Sequence, residues 1–267
     1  MSDLPLADGF FATPYRFLWH APSRTAILSD LHLGVEATLA QQGLYLPDTS
    51  TAPIRAAWER IVERQPAQVV IAGDLFDAPA TMPAALPLFQ TLLATLSQSC
   101  AVTVLPGNHD PSLETLADAL DGLNVSVQPA MAVGGYAVFH GHQSADASGL
   151  GEGRWTTGTA AERHWIPRGI VVGHQHPAVV LRTRVQAAKM LCFAQATLRV
   201  DGSAVNLLIL PPFSPVPLGS NLLTETYWIL DLPRPADEDV RILGLIEPQG
   251  RSPKVLEFGE LANINRT

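Results

Sequence analysis

Gln68-Val-Val-Ile-Ala-Gly-Asp-Leu-Phe-Asp77 is the stretch that decides the fold. A short apolar run rich in β-branched residues stops at a glycine, and two carboxylates follow. A run of that length bounded by glycine predicts a buried strand rather than a helix. Four other stretches have the same build. They are Thr25-Ala-Ile-Leu running into Ser29-Asp30, Ala101-Val-Thr-Val-Leu running into Pro106-Gly-Asn-His-Asp110, Tyr136-Ala-Val-Phe running into His140-Gly141, and Gly169-Ile-Val-Val running into Gly173-His174. Helical patterns lie between them. Pro53 to Arg64 spaces Ile54, Trp58, Ile61 and Val62 along one helix face, Pro87 to Leu96 is similar, and Ser112 to Leu120 opens with a Ser N-cap and Glu114 in its first turn.

Strands that alternate with helices predict an α/β layered fold, in which the carboxyl ends of the strands gather at one edge and bind ligands there. All five polar clusters end strands, so they are expected in one cleft. Further on, 191–200, 204–210, 227–232, 240–246 and 254–258 read as strands without helices between them. A second, more antiparallel sheet packed on the first is expected. The Pro-rich stretch 211–219 reads as a rigid connection and the Gly/Thr-rich stretch 149–159 as a surface loop. No repeat or boundary divides the 267 residues. The expected organisation is one domain over 1–267, with its motifs within 29–177 and strands over 190–258 completing the second sheet.

Composition narrows the classes. The formal net charge is −8, which disfavours default binding to nucleic acid or an anionic membrane. The two cysteines, Cys100 and Cys192, lack a metal-type spacing and read as reduced thiols in a cytoplasmic protein. No basic leader precedes an apolar stretch, and no run of about 18 apolar residues occurs. Charge is uneven: 65–153 holds eight acids and no Lys or Arg, whereas 154–199 holds seven basic residues and one acid. The acidity suits bound cations, and the basic stretch suits an anionic substrate.

The chemistry lies in the clusters taken together: Asp30-Leu-His32, Gly73-Asp74-Leu-Phe-Asp77, Gly107-Asn108-His109-Asp110, His140-Gly141 and Gly173-His174-Gln-His176. They offer carboxylate, imidazole and amide donors and no thiol, a set suited to Mn, Fe or Zn rather than a structural Cys-rich site. In an extended segment the D-x-H and H-x-H residues would point to one side, so each pair could chelate one ion.

The series D-x-H, G-D-x-x-D, G-N-H-D, H and G-H-x-H, complete and in order, resembles that of the calcineurin-like metallophosphoesterases. The resemblance implies two packed mixed β-sheets flanked by helices, a four-layer sandwich. It implies two divalent transition-metal ions, manganese first, with iron or zinc as alternatives. Asp30, His32 and His176 would hold one ion, Asn108, His140 and His174 the other, and Asp74 would bridge them. His109 would sit beside the reacting phosphate, and Asp77 would orient His109. Two cations can share a hydroxide, lower the pKa of its parent water and clamp the phosphate oxygens, so the implied reaction is in-line attack on phosphorus.

Departures narrow the resemblance. Ala78-Pro79 and Asp110 differ from the protein Ser/Thr phosphatases, and His109 differs from the Arg of the lipid A pathway hydrolase. No ligand is missing, unlike the retromer subunits. Ser29-Asp-Leu-His-Leu-Gly34, Gln42-Gly-Leu-Tyr-Leu-Pro47, Gly173-His-Gln-His-Pro-Ala178 and 210–219 resemble the ligase-associated DNA-damage-response phosphoesterases. The expected activity is a phosphodiesterase on small diesters, with single-stranded DNA as a further candidate substrate. The alternatives are a nucleotide phosphomonoesterase or pyrophosphatase, and a non-catalytic metal-binding scaffold. Candidate substrate contacts are His142, Arg154, Arg163 and Arg168. His142 could compete with His140 for the second ion, but His140 directly ends its strand and is preferred. Trp155 and Trp165 are weighed as base-stacking rings, with a packing role preferred. His20 and His164 carry no partner pattern. The expected partner is a phosphate ester, with nucleic acid open and no membrane; oligomeric state is not legible.

Overall fold

The computed structural model describes residues 3–142, 167–182, 186–200, 203–216, 219–225, 234–247 and 252–264. The chain opens with β1 (Leu4–Pro5), β2 (Phe10–Ala12), β3 (Leu18–His20) and β4 (Thr25–Leu28). It continues through α1 (Val35–Gln41), α2 (Thr51–Glu63), β5 (Gln68–Ala72), α3 (Met82–Leu93), β6 (Ala101–Leu105), α4 (Leu113–Ala119) and β7 (Val125–Val127). The second half carries β8 (Met131–Val133), β9 (Tyr136–Phe139), β10 (Gly169–Val172), β11 (Pro177–Arg182), β12 (Ala187–Val200), β13 (Ser203–Ile209), β14 (Ser220–Asn221), β15 (Val240–Ile246) and β16 (Lys254–Glu260).

These strands form two mixed sheets, giving the α/β fold expected. The first runs β1-β2-β3-β4-β5-β6-β7. Its β4, β5, β6 and β7 are parallel, and its first three strands are antiparallel. The second runs β14-β11-β12-β13-β10-β9-β8, with β15 and β16 joined to β12. There β9, β10 and β13 are parallel, and β12 pairs antiparallel with β11, β13 and β15.

Alternation along each strand decides which side chains meet. Ile27, Val70, Ala72 and Leu105 point inward and pack on Tyr136, Val138, Val171, Phe193 and Leu208 of the second sheet. The opposite faces of β4, β5 and β6 present Ala26, Leu28, Val69, Ile71, Val102 and Val104 to Ile54, Trp58, Phe89 and Leu116 on α2, α3 and α4. Trp58 is pinned as well as buried, because its Nε1 donates to Leu92 O and Thr95 Oγ1, both at 3.0 Å.

Some boundaries differ from those read in the sequence. α3 begins at Met82, before Pro87, because Pro83 falls in the first turn, where a missing N–H costs no helical bond. α4 opens on Ser112, whose side chain accepts from Thr115 N at 3.3 Å, as its position implied. The stretch 227–232 lies outside the described residues. Among the described residues no helix is long and apolar enough to cross a membrane.

Candidate metal centre

Two sheets packed with their parallel strands in one sense bring the ends of β4, β5, β6, β9 and β10 to one edge. The clusters meet there. Asp30 N donates to Gly73 O at 3.0 Å, His32 N to Asp74 O at 3.0 Å and Gly173 N to His140 O at 3.0 Å, so the loops are laced together by main chain before any side chain is considered.

The D-x-H and H-x-H pairs do not converge as extended segments. Asp30 (φ 56°), His32 (46°), Asp74 (49°), His174 (61°) and His176 (45°) all adopt left-handed backbone. For residues with a Cβ this conformation costs on the order of 1 kcal/mol or more each, with Asp, Asn and His tolerating it best. Such strain persists where surrounding bonds over-determine it. Around Asp30 those bonds include Phe213 N to Ser29 O at 2.9 Å and Ser214 N to Asp30 O at 3.2 Å, from the Pro-rich connection. That stretch therefore braces the site as well as linking strands.

Two groups of donors share Asp74. In one, Asp30, His32, Asp74 and His176 bring ligand atoms within 4.8 Å of one another; in the other, Asp74, His140 and His174 do so. His140 Nε2 lies 3.2 Å from Asp74 Oδ2 and 3.1 Å from Asn108 Oδ1. Asp74 Oδ1 accepts from His109 N at 2.9 Å. His176 Nε2 lies 2.9 Å from Asp30 Oδ1. It is not aligned for a hydrogen bond, and the buried Nε2 atoms of both His32 and His176 have no hydrogen-bond partner. Room for the ligands is built into the glycines: a Cβ at Gly73 would collide with the His140 ring, and one at Gly107 with the Asp74 carboxylate.

Ring tautomers follow from the acceptors. His140 Nδ1 meets Ala72 O at 2.9 Å, and a carbonyl only accepts, so Nδ1 carries a proton and Nε2 faces Asp74. His32 Nδ1 lies 3.0 Å from Asp77 Oδ1, which turns its Nε2 toward the same carboxylate, 3.7 Å from Asp74 Oδ2. Metal-ligating histidines are held in this way, one ring nitrogen donating to an oxygen and the other free for the ion. Buried unpartnered nitrogens, buried carboxylates and absent thiols together fit divalent cations of the Mn, Fe or Zn kind.

The electrostatics are those of a site built around positive charge. Burial opposes ionisation of Asp74, but the hydrogen bond and charge of His140 and the His109 N–H hold its pKa well below the usual carboxylate range. Burial likewise opposes the charged form of Asp30, yet His176 and His140 depress its pKa. Burial works against His140 too, but Asp74 and Asp30 push it up to about 9. His174 is pulled down to about 4, by burial and then by the charge of His140.

Several residues fall elsewhere than expected. The Asp77 carboxylate bonds His32 Nδ1, while the main-chain carbonyl of Asp77 meets His109 Nδ1 at 2.8 Å; the ligand atoms of His32, Asp77 and His109 lie within 4.8 Å of one another. The left-handed His32 brings its ring over the end of the Asp74–Asp77 loop, ahead of the more exposed His109. Arg168 precedes β10, and its N–H bonds Gly135 O at the end of the strand remote from His174, so it does not join the cluster. His142 is half-buried with its ring centroid 5.2 Å from that of His140 and 6.2 Å from that of His174, and its Nδ1 has no partner. It joins neither donor group. Arg154, Trp155, Arg163, His164 and Trp165 lie outside the described residues. His20 is buried and bonds Ser23 Oγ at 2.6 Å.

Asp110 has a role that the sequence reading missed. Its buried carboxylate accepts from Phe76 N at 2.9 Å, Gly107 N at 2.9 Å and Leu75 N at 3.3 Å, stapling the Asp74 loop to the Asn108 loop. Burial raises its pKa, and the three N–H groups work against that rise. Its place directly after the Gly107-Asn108-His109 turn was the available signal.

A family model described as calcineurin-like phosphoesterase matches residues 23–178. No curated protein matches the chain by sequence. Among solved structures, the crystal structure of Pseudomonas putida nuclease MPE aligns with a TM-score of 0.58 at 19% identity, over 91% of this chain and 96% of that one. At that identity the likeness is one of fold.

Proposed function

The chain belongs to the calcineurin-like phosphoesterase family and is a metal-dependent phosphoester hydrolase, and from that premise we propose that it is a phosphodiesterase with a two-ion centre. The observation that carries this reading is the pair His32 and His140. Each commits Nδ1 to a protein oxygen and turns Nε2 toward the carboxylate of Asp74. In this reading Asp30, His32 and His176 hold one ion, Asn108, His140 and His174 the other, and Asp74 is common to both. Manganese is the first choice, with iron or zinc as alternatives.

Such cations supply Lewis acidity: they offset charge on the phosphate oxygens and acidify water. The chain's own residues supply placement. His140, His176 and the His109 N–H keep the Asp74 and Asp30 carboxylates ionised in a buried setting. The main chain of Asp77 and the bond from His109 N to Asp74 fix His109 at the exposed rim of the cluster. There its Nε2 is available to a leaving-group oxygen. His142, with its unpartnered Nδ1 beside His140 and His174, is a candidate contact for the substrate phosphate.

Diester specificity is supported by the sequence resemblance of residues 29–34, 42–47, 173–178 and 210–219 to the ligase-associated DNA-damage-response group, and by a structural neighbour that is a nuclease. The buried free thiols of Cys100 and Cys192 suit a reducing compartment such as the cytoplasm. The test is a matrix of Mn, Fe, Mg, Zn and Ca against bis-aryl phosphate, mono-aryl phosphate, cyclic nucleotides and single-stranded DNA. Fastest turnover of a diester with Mn is expected. Monoesters turned over much faster than diesters would replace this reading with a nucleotide phosphatase.

A further inference from the structure

An apolar outcrop stands on the same edge as the metal centre. Leu44, Tyr45 and Leu46 are 56%, 83% and 53% exposed, three consecutive side chains among the few large hydrophobic ones that reach solvent in the described residues. The segment is anchored rather than loose. Leu44 N donates to Leu39 O at 2.9 Å. The Glu36 carboxylate accepts from Thr49 N, Ser50 N and Ser50 Oγ, at 3.0–3.1 Å, and Asp48 accepts from Thr51 N at 2.9 Å. Bonds at both ends keep the three side chains in water instead of letting them fold onto the core.

Topology places the outcrop. β4 and β5 are parallel, pairing Thr25 with Gln68 and Leu28 with Ile71. The connection between them must cross from the carboxyl edge to the amino edge, and α2 makes that crossing just before Gln68. The segment before α2 therefore lies on the carboxyl edge, with Asp30 and His32. One short helix separates the two features: α1 follows His32 directly, with Val35 N bonded to His32 O, and seven residues of helix span about 10 Å.

Size and charge select the occupant. Three side chains cover a few hundred Å² at most, well short of the roughly 800 Å² per partner that a stable protein interface buries. A tyrosine flanked by two leucines matches one flat ring instead. The chain carries a net charge of −8, and the local acids Glu36 and Asp48 are nearby, so ionic contacts with phosphates are weak here. Stacking on an aromatic face needs no positive charge. We propose that Tyr45, braced by Leu44 and Leu46, is a stacking platform for an unpaired nucleobase of a single-stranded substrate whose scissile phosphate lies at the metal centre. This rests on the phosphodiesterase reading and names its substrate class.

The experiment compares the full-length wild-type protein, Tyr45→Ala, Tyr45→Trp and the double variant Leu44→Ser/Leu46→Ser. Binding of a fluorescent single-stranded oligodeoxynucleotide and of its abasic counterpart is measured by anisotropy on metal-free protein at low and high salt. Turnover of the oligonucleotide and of bis-aryl phosphate is measured with Mn. Tyr45→Ala is expected to weaken oligonucleotide binding about tenfold, with little change for the abasic strand. That factor should persist at high salt, and Tyr45→Trp should restore it. Turnover should fall about tenfold more on the oligonucleotide than on the small diester. Equal binding by wild type and Tyr45→Ala, equal losses on base-bearing and abasic strands, or a dimer that Tyr45→Ala dissociates would each overturn the platform while leaving the hydrolase intact. Failure of the metal-loaded wild type to hydrolyse any diester would instead remove the functional reading, and the platform with it.

Discussion

Asp77 Oδ1 lies 3.0 Å from His32 Nδ1, so the carboxylate that closes the second cluster fixes a ring of the first. Burial resists its ionisation, but His32 and Thr38 hold its pKa low, so the contact is a charge-assisted one. The same residue meets His109 Nδ1 through its main-chain carbonyl, at 2.8 Å. One residue thus orients two imidazoles by two different chemistries, and a side-chain substitution separates them.

Asp77→Asn is expected to weaken metal binding about 10–100-fold, the usual cost of removing the partner that orients a ligating histidine. The dependence of rate on leaving group should survive, because the carbonyl that holds His109 remains. Metal titration beside a series of aryl phosphates checks both halves. Unchanged metal affinity with an altered leaving-group slope would return Asp77 to His109.

His109→Ala should act in the opposite way. Metal content should hold, and losses should be about 10²–10⁴-fold on esters of poor leaving groups and far smaller on nitrophenyl esters. Equal losses across the series would leave His109 a positioning role only.

Asp74→Asn removes the carboxylate that both donor groups share. The Asn oxygen can still accept from His109 N, so the loop is expected to fold, but affinity should drop at two sites together. Metal per chain, counted by elemental analysis after dialysis, should fall well below that of wild type. Activity should fall more than the about 10–100-fold expected for loss of an outer partner. Loss of one ion with the second retained would show that Asp74 belongs to a single site.

The metal-free protein should be most stable near pH 6.5. His140 is raised from 6.5 to about 9 in the folded state, so its contribution, on the order of 3 kcal/mol, is present below 6.5 and lost as pH rises toward 9. His174 is lowered from 6.5 to about 4, so its contribution is present above 6.5 and lost as pH falls toward 4. A cation must displace the proton on His140, so metal affinity should rise about tenfold per pH unit until about pH 9. Melting curves across pH and calorimetric titration in two buffers read these out. A flat melting temperature from pH 6.5 to 9 would contradict the assignment to His140.

The sequence alone determined the strands that carry the site. Thr25–Leu28, Gln68–Ala72, Ala101–Leu105, Tyr136–Phe139 and Gly169–Val172 begin and end where their apolar runs do, because strands covered on both faces have no alternation to blur them and glycine, proline or a polar residue stops each one. Motif order likewise brought Asp30, His32, Asp74, His140, His174 and His176 to notice as one donor set. Less was legible at the N-terminus, where β1, β2 and β3 are two or three residues long and are strands only because neighbours pair with them. The tertiary structure decided the rest. Whether Asp77 serves His32 or His109, whether Asp110 staples two loops, and whether Arg168 reaches the cleft all depend on how loops far apart in sequence lie against each other. The left-handed backbone at five of the site residues decides where their side chains point. Residue type permits that conformation but does not impose it; hydrogen bonds accepted by the Gly73 and Asp74 carbonyls and donated by the Pro-rich connection help hold it in place.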